Sequence, residues 1–162
     1  MCISKRKKWD KFIPSPVYLR TVEGLKTVKL LHLFIQCFQY TGESGKDHWQ
    51  TPEEFLRNFE IDCDDYMRFC CDVLKRVMGI EAIGMVHSGY DKERWGNQMC
   101  CHAICIFPFE GKLAVFSNDE LYTKLNSYEE AGHITFKGLK SWVLYDWQGN
   151  VLSRRFKAIG TF

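Results

Sequence analysis

The sequence predicts an α+β fold in which a group of helices precedes an antiparallel sheet. Three observations predict it. As far as Gly79 the apolar residues recur at helical spacing, and from Ile80 the period changes to that of strands. Turn residues, Pro108-Phe109-Glu110-Gly111 and Gln148-Gly149-Asn150, then separate strand segments closely enough for hairpins.

The first 20 residues are basic, aromatic and punctuated by Pro14 and Pro16. This predicts an N-terminal arm (1–20) ahead of a single domain (21–162). Between 21 and 40, Val22, Leu25, Val28, Leu31, Phe34, Cys37 and Phe38 predict one core helix, ended by a polar loop at 41–47. Thr51-Pro52-Glu53-Glu54 reads as a capping box with proline at the first helical position, opening a short helix to about Asn58. After Cys63, the residues Tyr66, Phe69, Cys70, Val73, Leu74 and Val77 form one apolar side of a helix. Arg68, Asp72, Lys75 and Arg76 lie opposite, and Gly79 stands at the C-cap. Strands are predicted over 80–86, 99–107 and 112–117. The loop from His87 to Gln98 is long and polar, and is expected to border a substrate cleft. A further strand pair, 141–145 and 151–156, ends the chain.

Composition narrows the class. A chain of 162 residues with 46% hydrophobic and 15% aromatic residues can bury a core without metals or disulfides. A formal charge of +2 carries no nucleic-acid signature; the one basic cluster, Lys5-Arg6-Lys7-Lys8, reads as a solvated arm. No apolar run approaches the ~20 residues that cross a bilayer, and no apolar signal region follows the basic N-terminus. Two of the pairs among the 8 cysteines, Cys70-Cys71 and Cys100-Cys101, are adjacent residues inside apolar periodic segments. Cysteine there behaves as a small hydrophobe, so the expectation is a cytoplasmic protein with mostly unpaired thiols. Zinc is weighed and set aside: neighbouring cysteines on a strand point to opposite faces, and no Cys-x-x-Cys knuckle occurs among Cys100, Cys101, His102 and Cys105. No cofactor is expected.

The strongest chemical constellation joins two distant segments. Cys63 lies in Asp62-Cys63-Asp64-Asp65-Tyr66 at a predicted helix start, and His102 lies on a predicted strand. A helix N-terminus favours thiolate through its unpaired N–H groups and dipole, and an adjacent imidazole can complete the activation. The flanking aspartates oppose it, so an imidazolium at His102 is required to outweigh them. On that basis an ion pair is expected, with Cys63 reactive below the ~8.5 of a free cysteine. Asp64 and Asp65 read as capping residues, Asp65 holding the loop by accepting backbone N–H bonds. His32, His48, His87 and His133 show no defensible partner.

Trp49-Gln50-Thr51-Pro52-Glu53-Glu54-Phe55, Asp62-Cys63-Asp64-Asp65-Tyr66 and Leu74 to Ile80 together resemble the transglutaminase-like superfamily. The similarity, over roughly residues 49–122, is greatest to its bacterial transglutaminase-like cysteine peptidases. His102-Ala103-Ile104 matches the family histidine, and Ile61 stands where the family has glycine. The resemblance implies a papain/transglutaminase-like core, with the nucleophile at a helix N-terminus packed on an antiparallel sheet. It implies a triad completed from Phe116-Ser117-Asn118-Asp119, where Asn118 is favoured, Asp119 is second and Ser117 is a third alignment. The implied function is a thiol-dependent peptidase or amidase acting through an acyl-enzyme on a protein or peptide substrate. The alternatives are transfer to an amine, as in a transglutaminase, and a non-catalytic interaction module. One oxyanion donor is expected from the Cys63 N–H; Gln36, Trp49 and Gln50 are candidates for the second.

Overall fold

A computed structural model describes residues 11–41, 48–58, 60–96 and 98–156. Its architecture is α+β. One six-stranded antiparallel sheet runs in the order β4-β3-β2-β1-β5-β6. The strands are β1 (Ile83–Tyr90), β2 (Met99–Phe109), β3 (Lys112–Ser117), β4 (Glu120–Leu125), β5 (Gly138–Tyr145) and β6 (Val151–Phe156). Helices α1 (Pro16–Val22), α2 (Val28–Ile35), α3 (Pro52–Phe55) and α4 (Cys63–Met78) precede them. Helix α5 (Lys92–Trp95) links β1 to β2, and α6 (Tyr128–Thr135) links β4 to β5.

Local signals account for the helix ends. Thr51 and Glu54 form the expected capping box at α3, with Pro52 in its first turn. Asp62 caps α4, and Gly79 closes it in the left-handed conformation at φ 68°. The segment 21–40 is not one helix. Thr27 accepts a bond from the Leu30 N–H and opens α2 afresh, while α1 begins at Pro16 behind its cap, Ser15. Residues 16–20 therefore belong to the helical layer rather than to an extended arm: Tyr18 is 1% exposed, and its hydroxyl donates to Asp72 Oδ2 at 2.7 Å. The cluster Lys5 to Lys8 lies outside the described residues.

Strand alternation divides the core in two. Ala103, Cys105 and Phe107 of β2 face α1 to α4, where Phe55 stacks on Phe69 at 4.5 Å. Ile104 and Ile106 face the other way, into a cluster with Met85, Val115, Leu144 and Ala131 of α6. The β2–β3 hairpin turns through Glu110 and Gly111, both at positive φ, which matches the twist of the strands it joins.

The sheet departs from expectation in three places. Strand β1 starts at Ile83 and continues to Tyr90, so His87 to Tyr90 is strand rather than loop, and His87 is fully buried. Strand β4 and helix α6 carry no expectation from the sequence; Ser127 caps α6 by accepting the Glu130 N–H. Strand β5 starts three residues earlier than predicted, at Gly138. Gly89 permits this packing, because a Cβ there would meet the Gly138 oxygen and Phe136 Cβ at 2.7 Å each.

Candidate active site

The site is built at the N-terminus of α4. Thr41 fixes the chain entering the helix: its N–H donates to the Ile61 oxygen (3.0 Å) and its Oγ1 accepts the Ile61 N–H (2.9 Å). Ile61 is buried and is not among the positive-φ residues, so the bend before Cys63 needs no glycine. Asp62 Oδ1 accepts the Asp64 N–H at 3.2 Å, and Asp65 Oδ2 accepts the Asp62 N–H at 3.1 Å. Asp65 also accepts the Gln50 backbone N–H (2.9 Å) and side-chain amide (2.8 Å). It therefore holds the upstream loop, as expected. Gln50 is fully engaged, its amide nitrogen also bonding Glu60 O and its oxygen accepting from Asn58. That leaves it no N–H to offer an oxyanion.

Cys63 is the first residue of α4 and is partly buried. The backbone N–H groups of Ala103 and of Cys63 itself lie near enough to the sulfur to favour its charged form. Burial pushes the thiol well above its ordinary range, and the Asp62 and Asp64 carboxylates add to the shift; the two N–H groups oppose it without overcoming it. Tyr40, half exposed, lies in the same field. Burial first, then Cys63, Asp62 and Asp64, raise its pKa. The shift of the Cys63 thiol runs against the thiolate–imidazolium pair expected from the helix dipole and His102 together, and His102 is not among its causes.

His102 stands beside Ala103 on β2. Its Nε2 lies 2.9 Å from Ser117 Oγ, and its ring is 5.7 Å from that of His87, nearly perpendicular. Alternation sends His102 toward the face of Ile104 and Ile106, whereas Cys63 packs with the cluster containing Ala103 and Cys105. Thiol and imidazole therefore approach the same stretch of β2 from different faces. The β2–β3 ladder ends at the pair Cys105–Phe116, so β3 does not pair with β2 at residues 102 and 103.

The three candidates for the third position are placed differently. Ser117, the last residue of β3, reaches His102. Asn118 takes a left-handed φ of 53° in the turn between β3 and β4, a conformation asparagine tolerates, and its buried Oδ1 has no hydrogen-bond partner. Asp119 is engaged elsewhere. Its carbonyl oxygen accepts from His32 Nε2 at 3.0 Å, and its carboxylate helps to raise Tyr66, pushed up to about 12 mainly by burial.

The histidine roles missed in the sequence depend on contacts between distant segments. His32 meets the β3–β4 turn, and His87 pairs across strands with His102. The hydroxyl of Ser117 had a signal, its place beside the histidine strand, but the strand offset needed to choose it is not written locally. Among the described residues, Asp62, Cys63 and Asp64 bring potential metal-ligand atoms within 4.8 Å of one another, but Asp62 Oδ1 is already committed to capping. No protein-family model matches the chain, and no curated protein matches it.

Proposed function

We propose that this protein is a thiol-dependent hydrolase, a peptidase or amidase with a papain/transglutaminase-like core, in which Cys63 is the nucleophile and His102 the general base. One observation carries the reading. The Cys63 thiol, in the first turn of α4, lies in the field of the backbone N–H of Ala103, the residue next to a histidine whose Nε2 is engaged by Ser117. The order of elements supports it too: nucleophile helix, histidine strand, and orienting residue on the neighbouring strand.

The chemistry starts from a neutral thiol. With its Nε2 engaged by Ser117 Oγ, the imidazole of His102 serves as the base of this proposal. The thiol lies on the other face of β2. Proton transfer in this proposal therefore requires the imidazole to leave Ser117 and pass round the strand edge beyond the end of the β2–β3 ladder. The imidazole takes the Cys63 proton as sulfur attacks the substrate carbonyl, and the Cys63 N–H at the helix start stabilises the oxyanion. His102 then returns the proton to the leaving amine, and water hydrolyses the thioester. Ser117 replaces Asn118 and Asp119 as the orienting residue of this proposal, because its hydroxyl lies 2.9 Å from the ring nitrogen.

A second reading is favoured by a specific observation. A thiol held neutral by burial and two carboxylates, with its histidine leaving the strand on the other face, also suits a non-catalytic module that keeps this fold. Incubation with a peptide-amide library, followed by mass spectrometry, separates the two. The hydrolase reading expects cleavage that disappears in Cys63→Ala and in His102→Ala. Supplying a primary amine distinguishes hydrolysis from transfer. If no amide is cleaved and a thiol-directed acylating probe labels Cys63 no faster than Cys37, the module reading replaces it.

A further inference from the structure

A second pair of thiols lies deeper in the molecule, between the two elements that carry the candidate site. Cys71 of α4 and Cys105 of β2 are both fully buried, and their sulfurs are 3.4 Å apart, in hydrogen-bonding contact across 34 residues of sequence. Two sulfurs already facing each other need to close by roughly 1.4 Å to reach the ~2.05 Å of a disulfide, which side-chain rotation can supply. Neither thiol has a role in the proposed hydrolysis. Their neighbours, Cys70, Phe69, Phe107 and Phe116, are apolar, so the pair is not a metal site by ligand count or charge.

We infer that Cys71 and Cys105 form an oxidation site, closing to an internal disulfide when the protein meets a hydroperoxide. One thiol attacks the peroxide O–O bond, giving a sulfenic acid and releasing water or an alcohol. The second thiol attacks that sulfur and expels water, so the S–S bond forms as the S–O bond breaks. Two sulfurs are oxidised, one peroxide is reduced, and the two thiol protons leave in its reduction products. Burial raises the Cys105 thiol and shuts peroxide out of the core, so reaction is slow until the core opens locally. Once formed, the bond fastens the helix of Cys63 to the strand of His102. The inference concerns Cys71 and Cys105 alone and holds whether or not Cys63 is a nucleophile.

The full chain is treated with hydrogen peroxide until exposed Cys37 is fully oxidised, then unfolded, alkylated and mapped without reduction. The expected product is a Cys71–Cys105 crosslinked peptide lighter by two hydrogens, restored to two alkylated peptides by a phosphine reductant. The crosslinked protein should also unfold at higher denaturant concentration than the reduced one, a shift that Cys71→Ala abolishes. Any other fate of these two sulfurs in the parent protein, whether thiols, sulfinic acids or crosslinks to other cysteines, overturns the inference, however the variant folds.

Discussion

At the scale of single residues, the thiol of Cys63 is governed by its carboxylate neighbours and its burial more than by the helix dipole. Dipole and N–H groups favour thiolate, but each is worth little beside the removal of the sulfur from water next to Asp62 and Asp64. Alkylation of Cys63, followed by mass mapping, should therefore rise only at pH above the ~8.5 of a free cysteine. Asp64→Asn removes one like charge and should move the profile to lower pH; an unmoved profile would leave burial and Asp62 as its causes. The orienting role is a residue-scale question as well. Ser117→Ala should lower kcat roughly 10-fold or more while leaving KM and folding nearly unchanged, because it frees the His102 tautomer. Asn118→Gly should do little, since glycine accepts the φ of 53° at least as readily. A larger loss at Asn118 or Asp119 would return the role to those positions.

Among elements, β1 carries the most consequential burial. His87 is 0% exposed under Phe136, whose ring centroid lies 5.2 Å away, and neither ring nitrogen has a well-formed hydrogen bond. Burial, with the charge of His102 second, lowers its pKa to about 3, the Met85 backbone acting in the opposite direction. The fold holds this ring neutral, while the unfolded chain protonates it below the ordinary value near 6.5. The stability it contributes is complete above that value and is lost as the pH falls toward about 3. Urea unfolding should show a loss of about 2 kcal/mol between pH 7 and pH 5. His87→Leu should flatten that slope; an unchanged slope would assign it to other groups. The same burial explains why the stretch from 87 looked like a loop. Histidine, serine and glycine read as polar and flexible locally, yet β2 and β5 pair with β1 on both sides through this region.

Across the whole molecule, Asp72 of α4 ties the chain's beginning to its helical layer. It accepts from the Tyr18 hydroxyl at 2.7 Å and from Arg76 Nη2 at 2.7 Å, and the Arg76 guanidinium lies 5.5 Å from the Trp147 ring near the C-terminal hairpin. Tyr18→Phe should cost roughly 1.5–3 kcal/mol, the range for a hydrogen bond to a charged group, measured by denaturant unfolding. A detached arm up to residue 20 would give no change. By itself the sequence determined those features whose causes lie within a few residues. These are the α+β order, the capping box of α3, the start and glycine end of α4, and the hairpins around 110 and 149. Capping, helical periodicity and turn chemistry act over one or two turns of chain, so their signals are local. Only the tertiary structure decided how α1 and α2 divide, where β4 and α6 lie, and which face of β2 carries His102. It also decided that Ser117 meets the imidazole, and that burial raises the Cys63 thiol. Those outcomes depend on strand register and on burial by segments distant in sequence. A shift of one residue in register exchanges the two faces of a strand, and desolvation is set by everything packed around a group.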